Sequence, residues 1–300
     1  MRHNIPKQLI TIMAGYNNNV KNNLTAVFQD TLDFINEEED LYDCIEYSKR
    51  ESELIKADEY YDLETPNRAG NIKVTQSKTF EAAMRYAEDE SNADKLIAVL
   101  NFASATHPGG GVEWGATAQE EDLCRCSTLF PVLSQTSLAM NFYEPNRKAR
   151  NPLHTDDLIY SPDIVIIKGE DENYERLDPE EWCKVDVITC AAPDLRPPRP
   201  DRFHPNIQPE PINISRDELY ELHLSRAQHI LNVAAGQGVD ILILGAFGCS
   251  AFRNDPNIVA HAYSDALKEY AQYFDVIEFA VYCTPFDMKN YKAFYDVFGE

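Results

Sequence analysis

The chain has 300 residues, 44% of them hydrophobic and 26% charged, the composition of a globular protein large enough to bury its own core. Its net charge of −23 excludes the basic footprint needed to grip a nucleic-acid backbone. The acidity leaves open a small anionic ligand held by backbone N–H groups rather than by lysines.

In chain order, residues 1–68 read as an acidic helical region. Leu24, Val27, Phe28, Leu32 and Ile35 recur at three- and four-residue steps and form one apolar helix face. Glu37 to Asp40 reads as a solvated helix end. Glu64 to Gly70 carries the Pro and Gly of a loop, and from there the pattern changes. Ile72–Val74 is a strand candidate, Lys78–Glu90 a helix, and Leu96–Phe102 a continuous apolar run as in a strand covered on both faces.

Similar strand signals follow at Ile164–Ile167, Val185–Cys190, Ile241–Leu244 and Ile277–Tyr282. Ser215 is placed to cap a helix through Ala235, and another helix spans Ile258–Tyr273. Pro193–Pro211, with seven prolines, reads as a long surface loop. Strands alternating with helices predict a largely parallel sheet between helical layers.

The seven cysteines are scattered, and Cys124 and Cys126 have no second pair at zinc-ligand spacing, so they read as free thiols in a reducing compartment. His107, His204 and His261 also lack a partner at ligand spacing and read as loop or surface residues. No metal and no cofactor is expected. No secretory leader or apolar run of about 18 residues is evident, which predicts a cytoplasmic protein without a membrane association.

Two segments carry chemistry, each leaving a buried strand at its C-terminal end, where open α/β sheets bind ligands. In the first, Asn101 to Gly111 ends in three glycines that let a ligand approach the backbone, and Gln119-Glu120-Glu121 follows seven residues later. Thr117 and Glu120 have capping-box spacing, which predicts a helix start with Thr117 as N-cap and the two glutamates in the first turn. First-turn acids commonly serve only the helix dipole. Beside a glycine-rich loop they also suit glycoside chemistry, which needs a proton donor at the leaving oxygen. The second segment, Gly245 to Pro256, joins a strand to a helix with small residues that can aim N–H groups at an anion. It has neither the Walker ending nor dinucleotide-binding glycine spacing.

Together these segments resemble the microbial poly(ADP-ribose) glycohydrolases, whose signature is three glycines, six to eight residues, then Gln-Glu-Glu. The lead-in Asn-Phe-Ala-Ser-Ala, the Leu-Cys-Arg after the signature, Tyr160-Ser161-Pro162 ahead of a strand, Ala191-Ala192-Pro193 and the Gly-Ala-Phe-Gly-Cys loop are similar too. The resemblance covers residues 70–290 and, weakly, the helical N-terminus. It implies a three-layer α/β/α macrodomain with a mixed, mostly parallel sheet over 69–300, and a helical N-terminal accessory region over 1–68. It implies cleavage of the ribose–ribose bonds of poly(ADP-ribose), with ADP-ribose, its polymer or ADP-ribosylated macromolecules as ligands and a monomeric enzyme.

Position by position, Glu121 would be the catalytic acid/base, and Glu120 would hold the ribose on the leaving side. Gly109, Gly110 and Gly111 would border the scissile ribose, with Asn101, Ser104 and Gln119 beside it. Gly245, Ala246, Phe247, Gly248, Cys249, Ser250, Ala251 and Phe252 would wrap the diphosphate, with Phe252 against the distal ribose. Phe286 would stack on adenine. Ser250 departs from the family's usual glycine, and Arg253 is unusual there. A mono-ADP-ribosyl hydrolase acting on protein, nucleic acid or a small ester would share the pocket. So would a non-catalytic ADP-ribose-binding module, against which the intact acid pair speaks.

Overall fold

The computed structural model describes residues 7–171, 173–197 and 212–299. Two helices open the chain, α1 (Lys7–Glu37) and α2 (Glu39–Glu51), the acidic run falling at their junction. Strands β1 (Glu53–Ile55) and β2 (Asn71–Thr75) precede α3 (Thr79–Ala87) and β3 (Ile97–Phe102). Then come α4 (Gln119–Cys126), the short helices α5 (Leu129–Leu133), α6 (Thr136–Leu138) and α7 (Glu144–Ala149), β4 (Leu158–Ile166) and β5 (Cys183–Cys190). The chain closes with α8 (Arg216–Gly236), β6 (Ile241–Leu244), α9 (Pro256–Tyr270), β7 (Val276–Ala280) and α10 (Lys289–Phe298).

The seven strands form one sheet in the order β1-β4-β5-β3-β6-β7-β2. From β2 to β5 all neighbours are parallel, and β4 and β1 add an antiparallel edge. Strand periodicity divides the core. Ile97 and Val99 of β3 and Ile241 and Ile243 of β6 join the cluster under the N-terminal helices. Ala98, Leu100, Leu242 and Leu244 face the opposite cluster, under α8 and α9. Both faces are thus covered, which is why these strands read as unbroken apolar runs. This is the three-layer macrodomain-type arrangement with N-terminal helices added.

The segment expected to be wholly helical contains β1, whose three residues are too short for a readable period and form only where β4 offers an edge. Tyr160-Ser161-Pro162 lies inside β4 rather than ahead of a strand, because the register shifts between Ser161 and Ile164 and a bulge accommodates the proline. Ser215 caps α8 as expected, its hydroxyl accepting from Glu218 N. Most of the proline-rich stretch, 198–211, and His204 with it, lie outside the described residues. Among the described residues the cysteines are free, no group of side chains suits a metal, and no helix is long and apolar enough to cross a membrane.

Helix α3 begins against a distant carboxyl. Glu170, just beyond β4, accepts from Phe80 N at 2.7 Å and Glu81 N at 3.3 Å. Burial pushes its pKa up to about 8, although Lys78 and the two N–H groups pull the other way. Because the folded value exceeds the unfolded one, the folded state binds more protons between them, and stability falls as pH rises through that window. Glu170→Gln keeps the acceptor oxygen but not the titration. It should reduce the loss of stability between about pH 5 and about pH 8 by up to about 1.4 kcal/mol per pH unit. Urea unfolding across that range checks this, and parallel wild-type and variant curves would refute it.

Candidate active site

Strands β3 and β6 lie side by side, so the loops that leave them open on one edge of the sheet. In the first loop, Gly109 and Gly110 adopt left-handed backbone with φ of +65° and +59°. A Cβ on Gly110 would lie 2.5 Å from Glu121 Oε1 and 3.0 Å from Glu120 Oε2, so only glycine lets the chain pass this close to the two carboxyls.

Helix α4 starts one residue later than the capping-box spacing predicts. Ala118, not Thr117, is its N-cap and makes no side-chain cap. The Glu120 carboxyl turns to the loop instead, where Oε2 accepts from Ser104 N at 2.7 Å. Glu121 Oε1 accepts from Gly111 N at 2.8 Å. Gln119 ties the helix to β3, accepting from Phe102 N at 2.8 Å and donating to Leu100 O at 2.8 Å. Glu120 is 2% exposed and Glu121 7%. Among the described residues, Glu120 Oε1 and Glu121 Oε2 have no hydrogen-bond partner.

Burial pushes the Glu120 carboxyl well above the usual carboxylate range, and Glu121 adds to the rise. The bond from Ser104 N opposes it without cancelling it.

The second loop is pinned from below. Gly248 has φ +72°, and a Cβ there would strike Ala192 Cβ at 2.5 Å and Asn254 Nδ2 at 2.7 Å. Buried Asn254 donates to Gly248 O at 3.0 Å and Pro193 O at 2.7 Å, and its Oδ1 meets His223 Nε2 at 2.9 Å. The serine at the family's glycine position, Ser250, accepts from Asn290 Nδ2 of α10 at 3.0 Å.

The two loops enclose a cavity of about 800 Å³. Ser104, Gly110, Gly111 and Gln119 line it together with Glu120 and Glu121. The second loop contributes Ala246, Gly248 and the run Ser250 to Phe252. Asn101, Gly109, Gly245, Phe247 and Cys249 do not reach the lining. Asn101 is buried and donates to Thr189 Oγ1 at 3.2 Å. Gly245 leaves room for Phe102 and the Ala280 carbonyl, and Phe247 packs edge-on against Phe102 with centroids 5.8 Å apart. Phe286, expected over adenine, is 100% exposed and outside the lining. Tyr282, four residues earlier, lines the cavity in its place, with Lys78 Nζ 5.6 Å from its ring centre.

The fold adds residues that local sequence patterns did not single out. Lys78, Asp122, Glu170 and Tyr174 gather at the Tyr282 side, with Lys78 Nζ 3.2 Å from Asp122 and Tyr174 donating to Asp122 at 2.7 Å. Burial works against the Lys78 charge, yet Asp122 and Glu170 outweigh it and raise its pKa. Arg196 also lines the cavity, its guanidinium 4.8 Å above the Phe252 ring and paired with Asp194. Leu195 N donates to Phe252 O at 3.0 Å, which fixes Arg196 over the second loop. The only sequence hint of Arg196 is its place just after Ala191-Ala192-Pro193.

The model of the microbial-type PARG catalytic domain matches residues 22–169. The poly(ADP-ribose) glycohydrolase of Deinococcus radiodurans, solved in complex with ADP-ribose, is 32% identical over 84% of this chain and 95% of that one, with TM-score 0.69. The chain belongs to the microbial-type poly(ADP-ribose) glycohydrolase family. The Thermomonospora curvata glycohydrolase is 29% identical over 92% of this chain and 100% of that one, with TM-score 0.75. Its complex with the inhibitor ADP-HPD gives TM-score 0.74. A comparison with curated protein sequences gives no match.

Within this microbial glycohydrolase fold, the role of Gly110 separates into two parts. Gly238 is also left-handed, with φ +79°, but a Cβ there meets nothing within 4 Å. Gly238→Ala should cost only the backbone strain, about 1–2 kcal/mol. Gly110→Ala should cost that and more, because its methyl displaces the acid pair. Equal losses on urea unfolding would contradict the close approach at Glu121.

Proposed function

We propose that this protein is a poly(ADP-ribose) glycohydrolase in which Glu121 acts first as acid and then as base. The observation that carries the reading is the pair of buried carboxyl oxygens without partners, Glu120 Oε1 and Glu121 Oε2, on the wall of a cavity closed at its far side by the second loop. Family membership supports the substrate class, since the Deinococcus relative was solved with ADP-ribose. In this reading the terminal ADP-ribose occupies the cavity with its diphosphate on the Ala246–Phe252 loop, held by backbone N–H groups and by Arg196.

Glu121 protonates the 2′-oxygen of the neighbouring unit as the C1″–O bond breaks, leaving an oxocarbenium-like ribose. Its carboxylate then takes a proton from the water that attacks C1″, so one proton is lent and recovered per turnover. Glu120 holds a ribose hydroxyl through Oε1, and its Oε2 stays on Ser104 N. Neither a metal nor a cofactor takes part in these steps. Arg196 and Lys78, both in the cavity lining, set an anion-attracting potential inside a strongly acidic chain.

Glu121→Gln retains an oxygen to accept from Gly111 N, so the loop keeps its shape. It should bind ADP-ribose within about twofold of wild type and release ADP-ribose from polymer about 1,000-fold more slowly. Calorimetry and chromatographic detection of free ADP-ribose measure both, and near-normal hydrolysis by the variant would sink the assignment. Arg196→Ala should weaken ADP-ribose binding about tenfold, with a shallower dependence on salt than wild type. Unchanged affinity at low salt would remove Arg196 from the diphosphate site.

A further inference from the structure

The rim next to Glu121 carries a feature that holding the terminal ADP-ribose leaves unexplained. Directly after the glycines the chain makes one tight turn, Val112–Trp114, ended by Gly115 with φ +68°. The turn buries Val112 and lifts the Trp114 ring out, 64% exposed. The ring is nonetheless held in place. Trp114 N donates to Gly111 O at 3.0 Å, and the indole meets the His107 ring edge-on with centroids 6.5 Å apart. His107 itself lines the cavity, with Thr106 Oγ1 2.9 Å from its Nδ1 and its backbone N–H donating to Ser104 Oγ at 3.2 Å. Burial, and then the Arg147 charge, hold the His107 imidazole below its ordinary pKa, so near neutrality it enters the rim as an uncharged ring. Arg147 is exposed and donates to Thr106 O at 2.6 Å, which places its guanidinium on the same rim.

An exposed indole, an uncharged imidazole and a guanidinium suit a nucleotide. A base stacks on the ring, and a phosphate takes the guanidinium. Their position selects which nucleotide. Gly111, three residues before Trp114, donates to Glu121 at 2.8 Å, so the rim lies next to the carboxyl at the scissile bond. In the polymer the oxygen that leaves from C1″ is the 2′-oxygen of the next unit's adenosine, one ribose away from an adenine.

We infer that Trp114, with His107 and Arg147, forms a leaving-side subsite that binds the adenosine diphosphate portion of the next polymer unit, its adenine stacked on the indole. The inference rests on the polymer-hydrolase reading above. The second unit is thereby gripped while the first occupies the cavity, which orients the 2′-oxygen toward Glu121. Trp114 is a positioning residue for the leaving group.

Trp114→Ala tests this with two substrates, poly(ADP-ribose) and ADP-ribose carrying 4-nitrophenol at C1″, whose small leaving group has no adenine. The ratio of kcat/KM for polymer to kcat/KM for the nitrophenyl compound should fall about tenfold, the equivalent of about 1.4 kcal/mol of stacking. Trp114→Phe, which keeps an aromatic face, should restore most of the ratio. A ratio unchanged in Trp114→Ala, whether both rates fall together or neither falls, would overturn the subsite. Wild type that cleaves the nitrophenyl compound but not polymer would overturn the polymer reading itself, and the subsite with it.

Discussion

Two carboxyls buried side by side at the start of α4 set the terms for the rest of this structure. Each would carry a desolvation penalty of several kcal/mol if it were charged and unpaired. Among the described residues, no cation bonds either of them. What meets them is backbone, Ser104 N on Glu120 and Gly111 N on Glu121. Such donors can come this close only if the loop has no side chains in the way, which is the physical reason for glycine at 110. Burial raises the Glu120 pKa well above the usual carboxylate range. The outcome is a pair of acids held rigidly, each with one oxygen bonded to the loop and one left for a ligand. The left-handed turn that only glycine makes freely at 109 and 110 is thus tied to the availability of those two oxygens.

A second constraint is electrostatic. A chain of net charge −23 repels a diphosphate at long range. The cavity offsets this locally by two means. The loop after β6, kept in shape by Asn254 beneath it, lines the cavity with small residues whose backbone a ligand can approach. Lys78 and Arg196 add charge to the lining, each anchored by an aspartate, Asp122 and Asp194. An arginine held over the Phe252 ring and paired with Asp194 has less freedom left to lose on meeting an anion.

Sequence periodicity was enough to locate β3, β5, β6 and β7, because strands buried in the middle of the sheet show as largely apolar runs, and the edge strand β2 showed through Ile72 and Val74 alone. It was enough to place Glu120 and Glu121 at a helix start. It failed where tertiary contact decides. Thr117 has the spacing of an N-cap, yet Glu120, its supposed partner, finds a backbone donor across the loop, and the helix starts at Gln119. Strand β1 exists only because β4 presents an edge. Phe286 and Tyr282 are four residues apart in one irregular segment, and nothing local tells which ring turns inward. Arg196 and Lys78 carry no pattern; only the sheet order brings them to the same cavity.

The N-terminal helices bear on the site as much as on the fold. Phe28 of α1 meets Phe130 edge-on, with centroids 4.9 Å apart, and Phe130 lies where a Cβ on Gly109 would intrude, at 2.7 Å. Thr31 of α1 donates to the carbonyl of Arg125 in α4, and Arg125 in turn pairs with Asp122 at 3.0 Å. Lys168 closes the set from just beyond β4, fully buried and donating to Thr31 Oγ1 at 2.8 Å and Val27 O at 3.1 Å. Helix α1 therefore presses on the glycine loop from one side and holds α4 from the other. The acid pair depends on the close approach of loop and helix at Gly110 and Gly111. A helix that clamps both partners is the simplest device for keeping that distance, and it accounts for a helical extension packed on the same core rather than tethered beside it.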